Sequence, residues 1–360
     1  MFKNHLKTAF RQLFRHKIIM LINILGLSVG ISCFIITSLT LIHELNFDKY
    51  HKNSKRIYRL INEFNDEGKQ NFYSGCPAPL KNVIDEEISG IERTVRFGVM
   101  QSYTIVSLNE KQFHNLNITL TDPEFLKIFD VGFIEGDPNS ALSDIHSVVL
   151  TKSLALKIFG KTNVVGKYLI ITEAKPLEYL VTGIIEDMPE NSSISFDCLC
   201  PFPKGDDKWS TWNYSTYVLL SKEANIESVT RNLNISLQKY LKDEDVKIHL
   251  QPLTKVYLNL DWNSPYPSIK SGQVLYIYGF TGIIILLIAC LNYIILTNAY
   301  GRKREKEVFV RKCNGAQKSK LIIQFLSESL ILIIIATFIA VFITENLFYD
   351  INHLNITPSN

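Results

Sequence analysis

The side chains able to do chemistry are thinly scattered along this 360-residue sequence. Ala155-Leu156-Lys157-Ile158-Phe159-Gly160-Lys161-Thr162 matches a loosened phosphate loop, with Ala in place of the first Gly. That chemistry needs a turn that follows a strand and opens a helix, so that free backbone amides cradle the phosphates. The residues before Gly160 carry a helical pattern, so this Gly closes a helix and the segment reads as structural. The acid pairs Glu86-Glu87 and Asp206-Asp207 are adjacent in sequence, and neighbours do not face one site, so they read as solvated surface. No HExxH, no G-x-S-x-G and no Cys/His cluster is present. The cysteines at 33, 76, 198, 200, 290 and 313 lack metal-ligand spacing, and Cys198 and Cys200 are too close for an easy unstrained bridge. We therefore expect no catalytic residue, no metal site, no cofactor and no nucleic-acid partner.

What the sequence does carry is segregation. Charged residues make up 20% and the formal net charge is only +3, yet, apart from Glu328 and Glu345 near the two ends of the third, the charges avoid three long apolar runs. Residues 18–42 contain no charge at all, residues 274–296 form a second run, and residues 325–348 a third. About 20 helical residues cross the hydrocarbon core of a bilayer, so each run predicts a transmembrane helix. A cleaved signal peptide is the alternative for the first run. It is too long for one, and His43-Glu44-Leu45 follows it where a small-x-small cleavage site is needed.

Orientation follows from the flanking bases. Residues 1–17 carry Lys3, Lys7, Arg11, Arg15 and Lys17 and no acid. The loop 297–324 carries Arg302, Lys303, Arg304, Lys306, Arg311, Lys312, Lys318 and Lys320 against Glu305 and Glu307. Both segments are expected in the cytoplasm, with 44–272 and the tail 349–360 outside an inner membrane. Phe2, Leu6, Phe10, Leu13 and Phe14 recur at helical spacing, which predicts an amphipathic helix over 1–17 lying on the inner membrane surface.

The outer stretch alternates short strand-like and helix-like pieces, predicting an α+β domain of two subdomains beside the three membrane helices. Tyr58–Phe64 and Tyr214–Leu220 read as strands. Asp122 is expected to cap a helix opened by Pro123, with Phe125, Ile128 and Phe129 on one side. Thr151 starts a helix that Gly160 ends, and residues 225–242 form a longer one.

The order of these parts resembles the permease subunits of MacB/FtsX-type ABC transporters over nearly the whole chain. Near the start lie Phe10-Arg11-Gln12-Leu13-Phe14-Arg15-His16-Lys17, Ile22-Asn23-Ile24-Leu25-Gly26-Leu27-Ser28-Val29-Gly30, Phe47-Asp48 and Arg56-Ile57-Tyr58-Arg59. The outer stretch adds Gly136-Asp137-Pro138, Phe159-Gly160, Met188-Pro189-Glu190-Asn191-Ser192 and Gln251-Pro252-Leu253-Thr254. The most specific piece is the loop with Lys303-Arg304-Glu305-Lys306-Glu307-Val308, Arg311-Lys312 and Gly315-Ala316. The resemblance implies that this loop touches a cytoplasmic ABC ATPase, with Arg304, Glu307, Arg311, Lys312, Gly315 and Ala316 at the contact. Charge alone supports only a positive-inside loop. Phe309 stands where the family pattern has Gly, and Cys313-Asn314 where it has an apolar pair.

The resemblance further implies a second permease unit as partner, the lipid bilayer as solvent and an unidentified periplasmic client. It implies a subunit that hydrolyses no ATP itself but passes movement from the ATPase to the outer domain. It also implies a fourth span, towards which 349–360 would lead. A truncated, nonfunctional permease is therefore one alternative expectation. An extracytoplasmic sensor is another, which would need a cytoplasmic signalling module after the second span.

Overall fold

The computed structural model describes residues 17–66, 69–100, 104–106, 111–172, 175–203, 208–241, 246–258, 272–303, 305–313 and 317–355. The expected N-terminal amphipathic helix and Asp206-Asp207 lie outside the described residues. The chain divides into two compact units, one of Met1–Leu45 with Gln273–Asn360, the other Asn46–Gly272.

The first unit is helical. Helix α1 spans Lys17–Leu45. In the second unit the strands are β1 Ile57–Asp66, β2 Lys69–Tyr73, β3 Gly75–Cys76, β4 Ile91–Met100, β5 Thr104–Val106, β6 Gln112–Phe113 and β7 Ile118–Thr121. They continue with β8 Phe133–Gly136, β9 Ser147–Thr151, β10 Tyr168–Thr172, β11 Pro176–Ile185, β12 Cys198–Pro201, β13 Tyr214–Leu220 and β14 Val246–Pro252. The helices of this unit are α2 Leu80–Glu87, α3 Phe125–Ile128, α4 Lys152–Phe159 and α5 Ile226–Tyr240. The first unit resumes with α6 Gly272–Lys303, α7 Glu305–Cys313 and α8 Lys318–Asn355.

Among the described residues the strands form one sheet, in the order β14-β1-β13-β4-β7-β12-β9-β11-β10-β5-β6, with β2, β3 and β8 attached off that path. Most pairs are antiparallel; β9 with β11 and β7 with β12 are parallel. Three apolar clusters line it. One end packs Leu60, Leu80, Ile84, Val218 and Leu233 under α2 and α5. The other packs Ile118, Leu150, Leu154, Val181 and Cys198 under α4. Between them Phe97, Phe125, Phe129, Phe196 and Tyr217 pack edge-to-face and tilted, with centroids 5.0–5.7 Å apart, the spacing at which ring quadrupoles attract. The two expected subdomains are thus two ends with separate cores on one continuous sheet.

Local signals act as read where no distant residue competes. Thr151 Oγ1 accepts from Leu154 N–H at 3.3 Å and starts α4; Gly160, at φ 70°, ends it in the left-handed conformation. Asn225 Oδ1 caps α5 through Ser228 N–H at 3.0 Å. Asp122 does not cap. Its carboxylate accepts from Arg96 N–H at 2.9 Å, Nε at 3.0 Å and one terminal guanidinium nitrogen at 2.7 Å. Three bonds to Arg96, two of them from its charged guanidinium, outweigh a single bond to a helix amide, and α3 is left as a single turn with no side-chain cap. Cys76, Cys198 and Cys200 are buried free thiols, which fits a packing role.

Candidate functional site

Among the described residues three helices are long and apolar enough to cross a membrane: Met20–Leu45, Leu275–Ala299 and Leu321–Leu347. Their outward positions are apolar as well, among them Phe280, Ile288, Phe338 and Phe342. Such surface is stable only against lipid or another apolar face.

The helices meet through small side chains. Leu27 of α1, Ala289 of α6 and Ala336 of α8 form one buried cluster, with Ile31 against it. At Gly30 a Cβ would overlap Ala289 Cβ, and at Gly282 it would overlap the Thr37 hydroxyl. Ser32 Oγ and Thr344 Oγ1 lie 3.1 Å apart and bond α1 to α8. Close approach of small residues with inter-helix hydroxyl bonds is how helices associate where no hydrophobic drive separates them from lipid. At the start of α8 the buried Glu328 accepts from Gln324 Nε2 at 3.1 Å, which offsets part of the cost of burying a carboxylate. α8 continues past the expected end at Phe348 to Asn355; no proline interrupts it before Pro358.

Between the last two spans sits α7, nine residues reading Glu-Lys-Glu-Val-Phe-Val-Arg-Lys-Cys. Its sequence places acids in the first turn and bases in the last, the arrangement a helix dipole favours. Positions Glu307 and Arg311 are four apart, one above the other on the helix. Lys312 is exposed. Arg304, Gly315 and Ala316 lie outside the described residues. Phe309 and Val310 are 68% and 56% exposed and, with Val308, form an apolar stretch between charged turns. Three consecutive apolar residues between charged turns are the signal by which the sequence marks them. Phe in place of Gly also favours the helix by roughly 0.5 kcal/mol.

No group of three or more His, Cys, Asp or Glu among the described residues is placed to hold a metal ion. The arrangement offers a mechanical contact: a short polar helix joined to spans that both pack on the first.

A sheet-rich domain inserted after the first of three apolar helices, with a charged helix between the other two, is the architecture of a transporter permease. The chain belongs to the MacB/FtsX-type ABC transporter permeases. Residues 20–234 match the MacB-like periplasmic core domain, and residues 279–359 match the FtsX-like permease C-terminal region.

Three solved structures illustrate the likeness. A domain described as that of a permease protein from Porphyromonas gingivalis is 27% identical, covering 56% of this chain and 91% of that one, with a TM-score of 0.49. The periplasmic region of MacB from Actinobacillus actinomycetemcomitans is 19% identical, with coverages of 54% and 89% and a TM-score of 0.40. The extracellular domain of the noncanonic ABC-type transporter YknZ from Gram-positive bacteria is 17% identical, with coverages of 54% and 99% and a TM-score of 0.41. No curated protein matches the chain.

Proposed function

We propose that this permease is a mechanical transmission subunit. A separate cytoplasmic ABC ATPase binds the segment 302–316, centred on α7, and its closure on ATP displaces that segment. α6 and α8 carry the displacement across the membrane, and the outer domain, residues 44–272, does work on a periplasmic client. The observation that carries this reading is the placement of α7: it joins α6 and α8, which both pack on α1 through Ala289, Ala336 and Leu27. The chain of α1 then runs directly into the outer domain.

In this reading the N-terminus and the 297–324 loop are cytoplasmic and the outer domain is periplasmic, as the excess of Lys and Arg in 1–17 and 297–324 supports. ATP hydrolysis belongs to the partner, and a second permease unit completes the assembly. The charged contacts are Arg304, Glu307, Arg311 and Lys312, with Gly315 and Ala316 allowing close approach and Phe309 and Val310 adding apolar area. Co-purification of the full chain with its ATPase tests the contact. The Glu307→Ala/Arg311→Ala double variant is expected to weaken the complex by roughly tenfold or more, because truncated charge contacts at an interface commonly cost a few kcal/mol. Unchanged ATPase capture by a correctly inserted double variant refutes the docking role.

A further inference from the structure

The segment between α1 and β1 is tied down more densely than a passive linker requires. Asp48 N–H donates to the Asn191 carbonyl at 2.9 Å, and Asp48 Oδ1 accepts from Ser193 N–H at 2.8 Å. Asn191 Nδ2 donates to the Asn46 carbonyl at 3.0 Å, and the Tyr50 hydroxyl donates to Ser192 Oγ at 3.0 Å. Lys52 N–H donates to Asp130 Oδ2 at 2.6 Å, and Asp130 N–H donates to His51 Nδ1 at 3.1 Å. Phe47 stacks on Tyr257, with centroids 3.3 Å apart. These bonds pin residues 46–52 to two distant loops, 191–193 and the turn at Asp130.

Two ionisable side chains sit inside this joint. Asp48 is 0% and His51 2% exposed. Asp48 has φ 58°, a conformation that Asp and Asn tolerate better than other non-glycine residues. Asp48 Oδ2 and His51 Nε2 are buried without a hydrogen-bond partner. Because His51 Nδ1 accepts the Asp130 amide, the neutral ring carries its proton on Nε2. The joint is therefore built around a neutral imidazole and a half-satisfied carboxyl.

We propose that residues 46–52 form a clamped joint whose two buried ionisable side chains, Asp48 and His51, offset each other, so that the joint stays shut as the surrounding medium acidifies. This does not depend on the ATPase reading. The charged groups around the pair among the described residues are few. Arg59, itself buried and bonded to Gln251 Oε1 at 2.7 Å and 3.0 Å, acts on Asp48. Asp130 lies 3.9 Å from His51 Nδ1 and 3.7 Å from the exposed Lys52 Nζ. Burial raises Tyr50 far above its ordinary range, so it stays neutral throughout.

Burial pushes the Asp48 carboxyl up to about 6, against the opposing hydrogen bonds from Ser193 and the charge of Arg59. Burial pushes the His51 ring down to about 4, against the opposing charge of Asp130. The two act with opposite signs. Asp48 binds its proton more tightly in the closed joint, so its contribution is full below the ordinary value of 3.8 and is lost as pH rises through about 6. His51 binds its proton more weakly in the closed joint, so its contribution is full above 6.5 and is lost as pH falls through about 4. Combining both titrations, the opening equilibrium changes by only about threefold between pH 7 and 4.5.

Amide hydrogen exchange of the full chain in detergent micelles tests this. It is read at Asp48, Lys52, Asp130 and Ser193 and corrected for the intrinsic pH dependence of exchange. The wild type is expected to open no more than about threefold more readily at pH 4.5 than at pH 7. Asp48→Asn keeps the backbone conformation and the acceptor for Ser193, leaves His51 uncompensated, and is expected to open roughly 50-fold more readily over the same interval. His51→Gln leaves Asp48 uncompensated and is expected to open roughly 25-fold less readily. If His51→Gln does not fold, the slope of Asp48→Asn decides alone; if neither folds, the wild-type profile decides. A wild-type change above about tenfold, or a flat Asp48→Asn profile, overturns the proposal.

Discussion

Exchanging one methyl group between α1 and α6 tests whether their packing at Gly30 is tight. A Cβ at Gly30 would overlap Ala289 Cβ, while the next atoms, Ala289 Cα at 3.7 Å and the Ile285 carbonyl oxygen at 3.9 Å, stand at ordinary contact distance. Gly30→Ala therefore collides with one atom and nothing else. Overpacking a tight contact costs about 1–3 kcal/mol. Helix propensity works the other way, since Ala is favoured over Gly by roughly 1 kcal/mol, so the single variant alone is ambiguous. Ala289→Gly removes the colliding atom and loses about the same propensity. In a double-mutant cycle the propensity terms cancel, and the coupling energy is the overlap itself, about 1–3 kcal/mol. Reversible detergent unfolding of the full chain measures the four corners. Gly30→Ala is expected to be tolerated better in the Ala289→Gly background by that amount. Additivity within about 0.5 kcal/mol refutes the tight crossing.

Two further predictions address the ends of the chain's architecture. Glu87 accepts from Lys239 Nζ at 2.8 Å, Tyr240 hydroxyl at 2.7 Å and Ser236 hydroxyl at 3.0 Å, and those bonds, Lys239 first, hold its carboxyl down at about 2. A depressed carboxylate stabilises above its ordinary value and loses that contribution as pH falls through the folded one, so Glu87→Gln is expected to flatten the loss of thermal stability between pH 4.5 and about 2. Cys313 on α7 is exposed, whereas Cys76, Cys198 and Cys200 are buried. A membrane-impermeant maleimide is therefore expected to spare all four in intact spheroplasts and to label Cys313 in inverted vesicles; labelling of Cys313 from outside refutes the proposed orientation.

The parts legible in the sequence are those decided within a few residues. Three apolar runs, the Thr151 cap with the Gly160 stop, and the charged stretch that becomes α7 each carry their own cause. Asp122 misled because its competitor, Arg96, lies on β4, and a local rule cannot weigh a distant guanidinium. Sheet continuity was hidden for the same reason: β1 pairs with β14, Arg59 opposite Gln251, across most of the outer domain's length. Phe47-Asp48 and Met188–Ser192 were visible as two separate marks of family likeness. That they interlock, Asp48 on Asn191 and Ser193, is a tertiary fact with no periodicity or spacing to announce it.

Chain connectivity limits how a push on α7 divides between its neighbours. One residue, Arg304, separates the end of α6 at Lys303 from the start of α7 at Glu305. Even fully extended, that connection spans about 7 Å between Cα atoms. On the other side, four residues separate Cys313 from Lys318, a connection that can extend to about 18 Å. The shorter connection therefore bounds how far α7 can move from α6 more closely than the longer one bounds its distance from α8. α6 in turn meets α1 where Gly30 faces the Ala289 methyl group and Gly282 faces the Thr37 hydroxyl. In the proposed mechanism α6, by the shorter connection, and α8 both carry the movement to α1, and α1 leads along the chain into the clamped segment 46–52. A joint that loosened with pH would waste that stroke, which gives the offsetting titrations of Asp48 and His51 a mechanical consequence.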